Sequence, residues 1–464
     1  LIEADNKAVV DLHSHHKTGL RRDALPFVET LAQSIANIAP TATPALTIPL
    51  VFANSGNGTW LTYVFATVGL VLVSICINQF ARRSATPGSI YSYTTLGLGK
   101  WAGFIAGWGL ILAYLATGIA VVFGFSIFAS NLLKELGIDI PVYVFYIVDA
   151  ALVWFIAYKD IKLSTKLMLF LELASVSLIL ILAVIVLGGK GLNLDTPQLS
   201  LGGVSLDGMR LGLVLAVFSY VGFESATALG AEAQRPLINI PRAVIASTIM
   251  VGCFFVVMSY VEVTGFGGLN TPLNQSTEPL VDLAKANKVD FFGTLTSIGA
   301  MISFFACGLA CVNAVARILF TMGRDGILHT QLGRSHSTNE TPHIAATLSA
   351  FSLLVVPVIF SLAGVAMLDA YGYTGTIATF GFLLAYILIS VAAPVFLKRE
   401  KILKTRYVIV AALAVLFMLV PLVGSIYPVP AEPYNYLPYI FAAYMLMGLA
   451  WLVIEWRRSR SKKA

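Results

Sequence analysis

The sequence predicts an all-α membrane protein: twelve transmembrane helices, arranged as a 5+5 inverted repeat with interrupted spans 1 and 6, plus two peripheral helices. Three observations predict it. The 464 residues are 58% hydrophobic and only 12% charged, about half the charge of a soluble domain. The basic residues are sorted onto alternate connections. Two long apolar segments carry helix-breaking or ionisable residues in mid-span, namely Asn37-Ile38-Ala39-Pro40-Thr41-Ala42-Thr43-Pro44 and Phe218-Ser219-Tyr220-Val221-Gly222-Phe223-Glu224-Ser225. Lipid offers no partner to a broken backbone, so such breaks survive only where protein or a water-filled cavity surrounds them. Two of them in matching positions of a repeated architecture point to the binding site of a secondary transporter.

A helix needs about 20 apolar residues to cross the hydrocarbon core, and suitable segments lie at roughly 27–53, 60–80, 101–132, 141–158, 165–188, 209–231, 242–266, 291–319, 344–366, 371–397, 407–427 and 436–456. With a cytoplasmic N-terminus, only Lys134, Lys190, Arg210, Lys285 and Lys288 of the 30 Lys and Arg fall outside. Positive charge stays inside during insertion. One missed span would scramble this bias, so both termini are expected in the cytoplasm and the protein in the plasma (inner) membrane. The net charge of +6 reports that topology and gives no support to a nucleic-acid partner.

Residues 1–24 read as a polar cytoplasmic tail without a cleavable signal pattern. His13, His15 and His16 are either a metal-binding cluster or plain tail residues. No Cys or carboxylate pattern completes a metal site, and no metal or cofactor is predicted. Residues 25–456 form the transporter domain, with repeat one at about 27–188, repeat two at about 209–397 and helices 11–12 at about 407–456. Residues 457–464 form a basic cytoplasmic tail suited to anionic membrane lipid. The loops are short, so one membrane domain and no soluble domain is expected. The longest, 189–208 and 267–290, lie outside. Asn57-Gly58-Thr59 and Asn274-Gln275-Ser276 fit the glycosylation pattern there, which matters only in a eukaryotic secretory route. Cys76, Cys253, Cys307 and Cys311 all lie within spans, so no disulfide framework is expected. The oligomeric state is left open.

Spans 1–5 and 6–10 superimpose by their break positions, and an odd number of spans per unit turns the second unit upside down. In the first break, Pro40 and Pro44 lack amide hydrogens. Thr43-Pro44 reads as an N-cap followed by proline at the first helical position, so the helix restarts at Thr43 or just before. A helix start presents free N–H groups that suit a carboxylate. The amides of Thr41 and Ala42 and the Thr41 hydroxyl are the chosen donors. A proline kink covered by neighbouring helices, with no ligand, is the alternative. In the second break, Gly222 permits unusual backbone angles and Glu224 is ionisable. Carbonyls freed from Phe218 to Val221 suit an ammonium group. Together the two ends describe a site for a zwitterion.

The segment Arg82-Arg83-Ser84-Ala85-Thr86-Pro87-Gly88-Ser89-Ile90-Tyr91-Ser92-Tyr93 is followed by Gly97 and Gly99. The second break is followed by Ala231-Glu232-Ala233-Gln234-Arg235-Pro236. Arg317 is followed by Met322-Gly323-Arg324-Asp325-Gly326 and Thr341-Pro342-His343. In these three stretches, taken in order, the chain resembles the amino acid–polyamine–organocation (APC) superfamily of amino acid permeases, which have the LeuT-type fold. The resemblance covers nearly the whole chain and implies alternating-access transport of an amino acid substrate. It implies Thr41 and Ala42 as carboxylate contacts and the Ile38 carbonyl as an ammonium contact. Phe218 falls on the aromatic position that covers the substrate, the Val221 carbonyl on an ammonium-binding position, and Glu224 on a glutamate tied to proton sensing or gating. One departure stands out. Where the family has a Gly-Ser-Gly-like run, this chain has Pro40-Thr41-Ala42, which removes one donor and adds a methyl.

The resemblance also bears on coupling. Ala306 and Cys307 stand where sodium-coupled relatives place hydroxyl ligands, and Ser175 stands where some proton-coupled relatives place a lysine. Two carboxylates remain well inside spans, Glu224 and Glu172, and intramembrane ionisable residues are functional candidates by default. Glu224 is either a gating or proton-handling residue or a hydrogen-bond hub. Glu172, one turn before Ser175, is either a coupling residue or a partner for a neighbouring helix. Asp149 and Glu262 are expected to be structural or interfacial. Cys307 and Cys311 share a face of span 8 that by the same register lines the pocket. The resulting expectation is a secondary transporter, proton-coupled and taking neutral amino acids. An obligate exchanger of amino acids or amines is the first alternative, and a non-transporting sensor on the same fold is a second. A membrane-embedded enzyme is disfavoured because all six histidines lie outside the spans.

Overall fold

A computed structural model describes residues 19–191 and 193–461, without the side chains of 456–461. His13, His15, His16, Lys462 and Lys463 lie outside the described residues. The structure is helical throughout. In chain order the helices are α1 (Phe27–Ile38), α2 (Ile48–Ser55), α3 (Thr59–Ala81), α4 (Ser89–Leu98), α5 (Lys100–Glu135), α6 (Val142–Lys159), α7 (Ile161–Gly189), α8 (Thr196–Leu199), α9 (Leu206–Phe218), α10 (Pro236–Phe266), α11 (Pro279–Ala286), α12 (Asp290–Arg324), α13 (His343–Leu362), α14 (Met367–Arg399), α15 (Thr405–Gly424) and α16 (Leu437–Ser461). Among the described residues, ten stretches are long and apolar enough to cross a membrane, the first running from Phe27 to Ala81. The short helices α4 and α11 were not among the expected spans.

Burial separates scaffold from periphery. The most apolar windows of α5 and α12 are each 78% buried, against 11% for the last span. α5 packs against both α14 and α12, and α10 against α3. Gly109 and Gly381 let α5 and α14 cross backbone to backbone, because a Cβ on Gly381 would sit 2.5 Å from the Gly109 carbonyl oxygen.

Both breaks exist, and both are longer than the sequence suggested. α1 ends at Ile38, with Ala39 in the left-handed region at φ 52. Proline disfavours helical angles in the residue before it, so Pro40 ends the helix one residue early. The chain resumes as a π-turn over Thr43–Thr47, with Ala42 and not Thr43 in the cap position and no side chain capping it. Pro44 and Pro49 have no N–H to give, so the wider turn replaces the missing bonds. In the second break, α9 stops at Phe218, and the chain then turns through 219–224 into a 3-10 segment, Ser225–Leu229. No second α-helical half follows it before α10.

The three stretches that carry the family resemblance meet at the expected cytoplasmic end. Arg317 Nε and Nη2 donate to both Glu232 oxygens at 2.5 and 2.7 Å, with both side chains buried. Tyr91 donates to Asp325 at 2.5 Å. Burial pushes the Asp325 carboxyl up, while Tyr91, Lys100 and Arg324 oppose that shift. Thr341 donates to the Tyr158 carbonyl at 2.8 Å. Residues 20–25, at the end of the expected tail, are docked as well. The Ala24 and Leu25 amides donate to the Glu232 carbonyl, and the Gln234 amide returns to Leu25. Arg21 pairs with Asp160 at 2.6 Å on the rim.

These two ion pairs should behave differently on substitution. Removing one partner of a buried pair strands the other charge, so Arg317→Ala is expected to cost about 3–5 kcal/mol. Arg21→Ala, on a solvent-screened pair, should cost less than about 1 kcal/mol. Thermal unfolding in detergent checks both, and the double variant Arg317→Met with Glu232→Met should recover most of the loss.

Candidate binding site at the two breaks

The two breaks lie against each other. Gly222 has φ +91, and a Cβ there would fall 1.5 Å from Asn37 Nδ2, so only glycine lets the second break close onto the first. The irregular backbone finds partners in neighbouring helices. The Ala226 amide donates to Ser34 Oγ, and Ser225 Oγ donates to the Gln33 carbonyl. Gln33 itself reaches the Ala310 carbonyl at 2.9 Å. On the other flank, Ser219 bonds to the Tyr63 hydroxyl, and Thr67 to the Tyr220 hydroxyl.

Glu224 is fully buried and clamped. Tyr114 of α5 donates to one carboxyl oxygen and Tyr386 of α14 to the other, each at 2.7 Å. The Gly222 amide points at the same Tyr386 oxygen at 3.4 Å. Glu224 thus sits as a hub tying the break to two scaffold helices. The sequence held one signal for these partners: a buried tyrosine in an apolar span needs a bond for its hydroxyl. Which carboxyl it would find was not readable.

Two carbonyls assigned to an ammonium group, those of Ile38 and Val221, accept no hydrogen bond among the described residues. The carboxylate side differs from expectation. The Ala42 amide is not free, since it donates to the Ala39 carbonyl at 2.9 Å as the Pro40-Thr41 turn closes. The Thr41 hydroxyl is not free either, lying 2.5 Å from Ser175 Oγ. Ser175 gives its own proton to the Gly299 carbonyl at 2.8 Å, so Thr41 is the donor. Only the Thr41 amide stays unbonded among the described residues.

Glu172 lies one turn from Ser175 on α7 and takes the Ser303 hydroxyl at 2.9 and 3.0 Å on its two oxygens. Ser303 was not foreseen. It precedes Cys307 by one turn on α12, and the Cys307 thiol donates to the Asn37 carbonyl at 3.2 Å. Cys311 is buried one turn further along the same helix, and both thiols are free of any disulfide. The break in span 1 is therefore linked to α7 and α12 by hydroxyls, a thiol and one carboxyl. Among the described residues, no cluster of His, Cys, Asp and Glu could hold a metal ion.

The Phe218 ring meets Tyr371 edge-on at 6.0 Å between centroids. It rests on Gly375, where a Cβ would be 2.7 Å from the ring. With Thr47, Leu50 and Val214 these residues line a cleft beside the breaks. Glu262, expected to be structural or interfacial, is not interfacial: it is fully buried, with both oxygens unpartnered among the described residues. The short helix α11 folds over that end of α10, bringing Leu283 against Gly265. Asp149 on α6 is buried too, and its Oδ1 has no partner among the described residues.

A bilayer-length helical bundle with two interrupted helices meeting at free carbonyls defines a membrane transporter with its site in mid-bundle. The chain belongs to the amino acid permease family of the APC superfamily, whose family model matches residues 29–457. It is an amino acid/amine permease, a secondary transporter and not an enzyme. It is similar to the branched-chain amino acid permease of Bacillus subtilis, at 25% identity over 79% of this chain and 80% of that one. A methylthioribose transporter of the same organism is 24% identical over 76% of each. The low-affinity putrescine importer of Escherichia coli is 25% identical over 63% of this chain and 66% of that one. Among solved structures, a manganese transporter of Eremococcus coleocola overlays 96% of both chains with a TM-score of 0.58 and 15% identity. That overlay supports the LeuT-type fold and nothing about substrate.

Removing one phenol of the Glu224 clamp leaves a buried carboxyl oxygen unpaired, at a cost of about 1–3 kcal/mol. Tyr114→Phe and Tyr386→Phe should each lower thermal stability by that order, and the double variant should lose more than either single one. Gly222→Ala should reduce uptake more than tenfold, because the added methyl cannot coexist with Asn37; uptake by the reconstituted protein measures it.

Proposed function

We propose that the protein is a proton-coupled symporter of neutral amino acids in the plasma membrane, working by alternating access. In this reading the chain crosses the bilayer twelve times, as two inverted units of five spans followed by two peripheral ones, with both termini cytoplasmic. The substrate's amino group binds the Ile38 and Val221 carbonyls, and its carboxylate binds at Thr41. Phe218 covers the site from the cleft, and Cys307 and Cys311 line its inner wall.

The observation that carries the coupling assignment is the chain of side chains from the first break to α7. Thr41 bonds to Ser175, and Glu172 stands one turn away with only the Ser303 hydroxyl as partner among the described residues. A carboxyl in that position can take or release a proton and alter the geometry at Thr41 through a single helix. Glu224, held by two scaffold tyrosines, acts as the gating hub at the second break. The sodium alternative is opposed by Ala306 and Cys307, since hard sodium prefers oxygen donors. A neutral, apolar side chain is supported by the absence of any further acid at the junction and by the branched-chain permease among the relatives. The putrescine importer supports a second reading, sodium-independent exchange of amino acids and amines.

Uptake by proteoliposomes across all amino acids, with pH gradient, sodium and trans-substrate varied separately, tests these readings. The expected result is accumulation driven by an inward proton gradient and indifferent to sodium. Glu172→Gln should abolish the response to the gradient while retaining substrate counterflow. Strict sodium dependence, or uptake only against trans-substrate, would refute the symport assignment.

A further inference from the structure

We propose that the Asn37 side-chain amide is a substrate-binding group, spanning the amino and carboxylate groups of an α-amino acid and so selecting zwitterions over simple amines. This rests on the substrate site proposed above and adds to it the group that decides substrate class.

Asn37 is 1% exposed, and neither its Oδ1 nor its Nδ2 has a hydrogen-bond partner among the described residues. The other polar side chains at the junction are all engaged: Gln33, Ser34, Thr41, Ser225 and Glu224 each have a named partner. A buried amide with both ends unpaired is rare and calls for a ligand or water, the more so where no lipid atom can serve. Its place is equally specific. The Asn37 backbone carbonyl is taken by Cys307, while its side chain lies directly over Gly222. The amide therefore stands between the two breaks, one residue from the free Ile38 carbonyl and across from the second break.

The chemistry matches a zwitterion. An amide offers two N–H donors and a carbonyl acceptor. Oδ1 would accept from the substrate's ammonium beside the Ile38 and Val221 carbonyls. Nδ2 would donate to the carboxylate and supply the donor that the first break lacks. Pro40 has no N–H, and the Ala42 amide is already bonded to Ala39. The departure from the family's glycine-rich run is thereby offset by a neighbouring side chain. A simple amine would use the acceptor half alone and leave Nδ2 unpaired.

The test compares leucine with isopentylamine, and alanine with ethylamine, each amine being the amino acid without its carboxylate. Uptake is measured in proteoliposomes holding the wild type, Asn37→Asp or Asn37→Ser. Asn37→Asp keeps the shape and the acceptor but loses both donors and adds a negative charge. It should raise the amine-to-amino-acid uptake ratio at least tenfold. Asn37→Ser should raise KM for the amino acid at least tenfold. The ratio is read within one preparation, so the amount of folded protein cancels. Ligand-induced thermal stabilisation of the wild type gives a readout without any variant: the amino acid should stabilise at tenfold or more lower concentration than its amine. Unchanged ratios and KM in variants that still transport, or equal stabilisation of the wild type by both ligands, overturn the inference and leave the proposed function standing. A wild type that takes up none of the four compounds overturns the proposed function, and the inference with it.

Discussion

The constraint on which the rest of this structure depends is that a bilayer cannot satisfy a broken backbone. Two helices are interrupted in mid-span, and every neighbouring element is arranged around that fact. Gly222 gives up its Cβ so that the second break can lie on the first. α5 and α14 each send a tyrosine to Glu224, and α1 offers Ser34 and a Gln33 carbonyl to the 3-10 segment that replaces a second half-helix. Because these partners come from both halves of the chain, neither break can move without exchanging bonds with several helices. That is the property a site with alternating access requires.

A different set of residues joins the helix ends on the side expected to face the cytoplasm. Arg317 with Glu232 and Tyr91 with Asp325 join the very stretches in which the sequence resembles its family, and Thr341 of the third is anchored to the Tyr158 carbonyl. The residues that identify the family therefore hold the fold shut at one end. Those that would choose a substrate are scattered over Asn37, Thr41, Phe218 and Cys307. This division is consistent with relatives of similar identity whose names give cargoes as unlike as branched-chain amino acids, methylthioribose and putrescine.

The departure at Pro40-Thr41-Ala42 acquires a structural meaning in this setting. With Ala42 bonded back to Ala39 and the Thr41 hydroxyl turned to Ser175, the first break is tied to α7 more firmly than to any open space. The same tie brings Glu172 within one helical turn of the proposed carboxylate site. A loss of donors toward the ligand and a gain of contact with a protonatable helix have one cause, the proline that closes the turn at residue 40.

Much of this was legible in the sequence, and for a physical reason. Membrane insertion obeys local rules: apolar length makes a span, basic residues stay inside, and proline or glycine marks where a helix fails. Those rules placed the long helices, the break after Asn37 and the break around Gly222 from residue types alone. They also marked Glu172 and Glu224 as the acids to watch. What only the tertiary structure decided was pairing. Tyr114 and Tyr386 lie 110 and 162 positions from Glu224, Ser303 lies 131 from Glu172, and Thr41 lies 134 from Ser175. No local pattern announces such partners, because a hydroxyl in an apolar span signals only that a bond is needed. Direction was hidden as well. Thr43 reads as a cap in sequence, yet two prolines widen the turn and leave Ala42 in its place. The sequence by itself determined that two helices must break inside the membrane; the packing of distant helices determined which atoms at those breaks are spent on the fold and which are left unpaired.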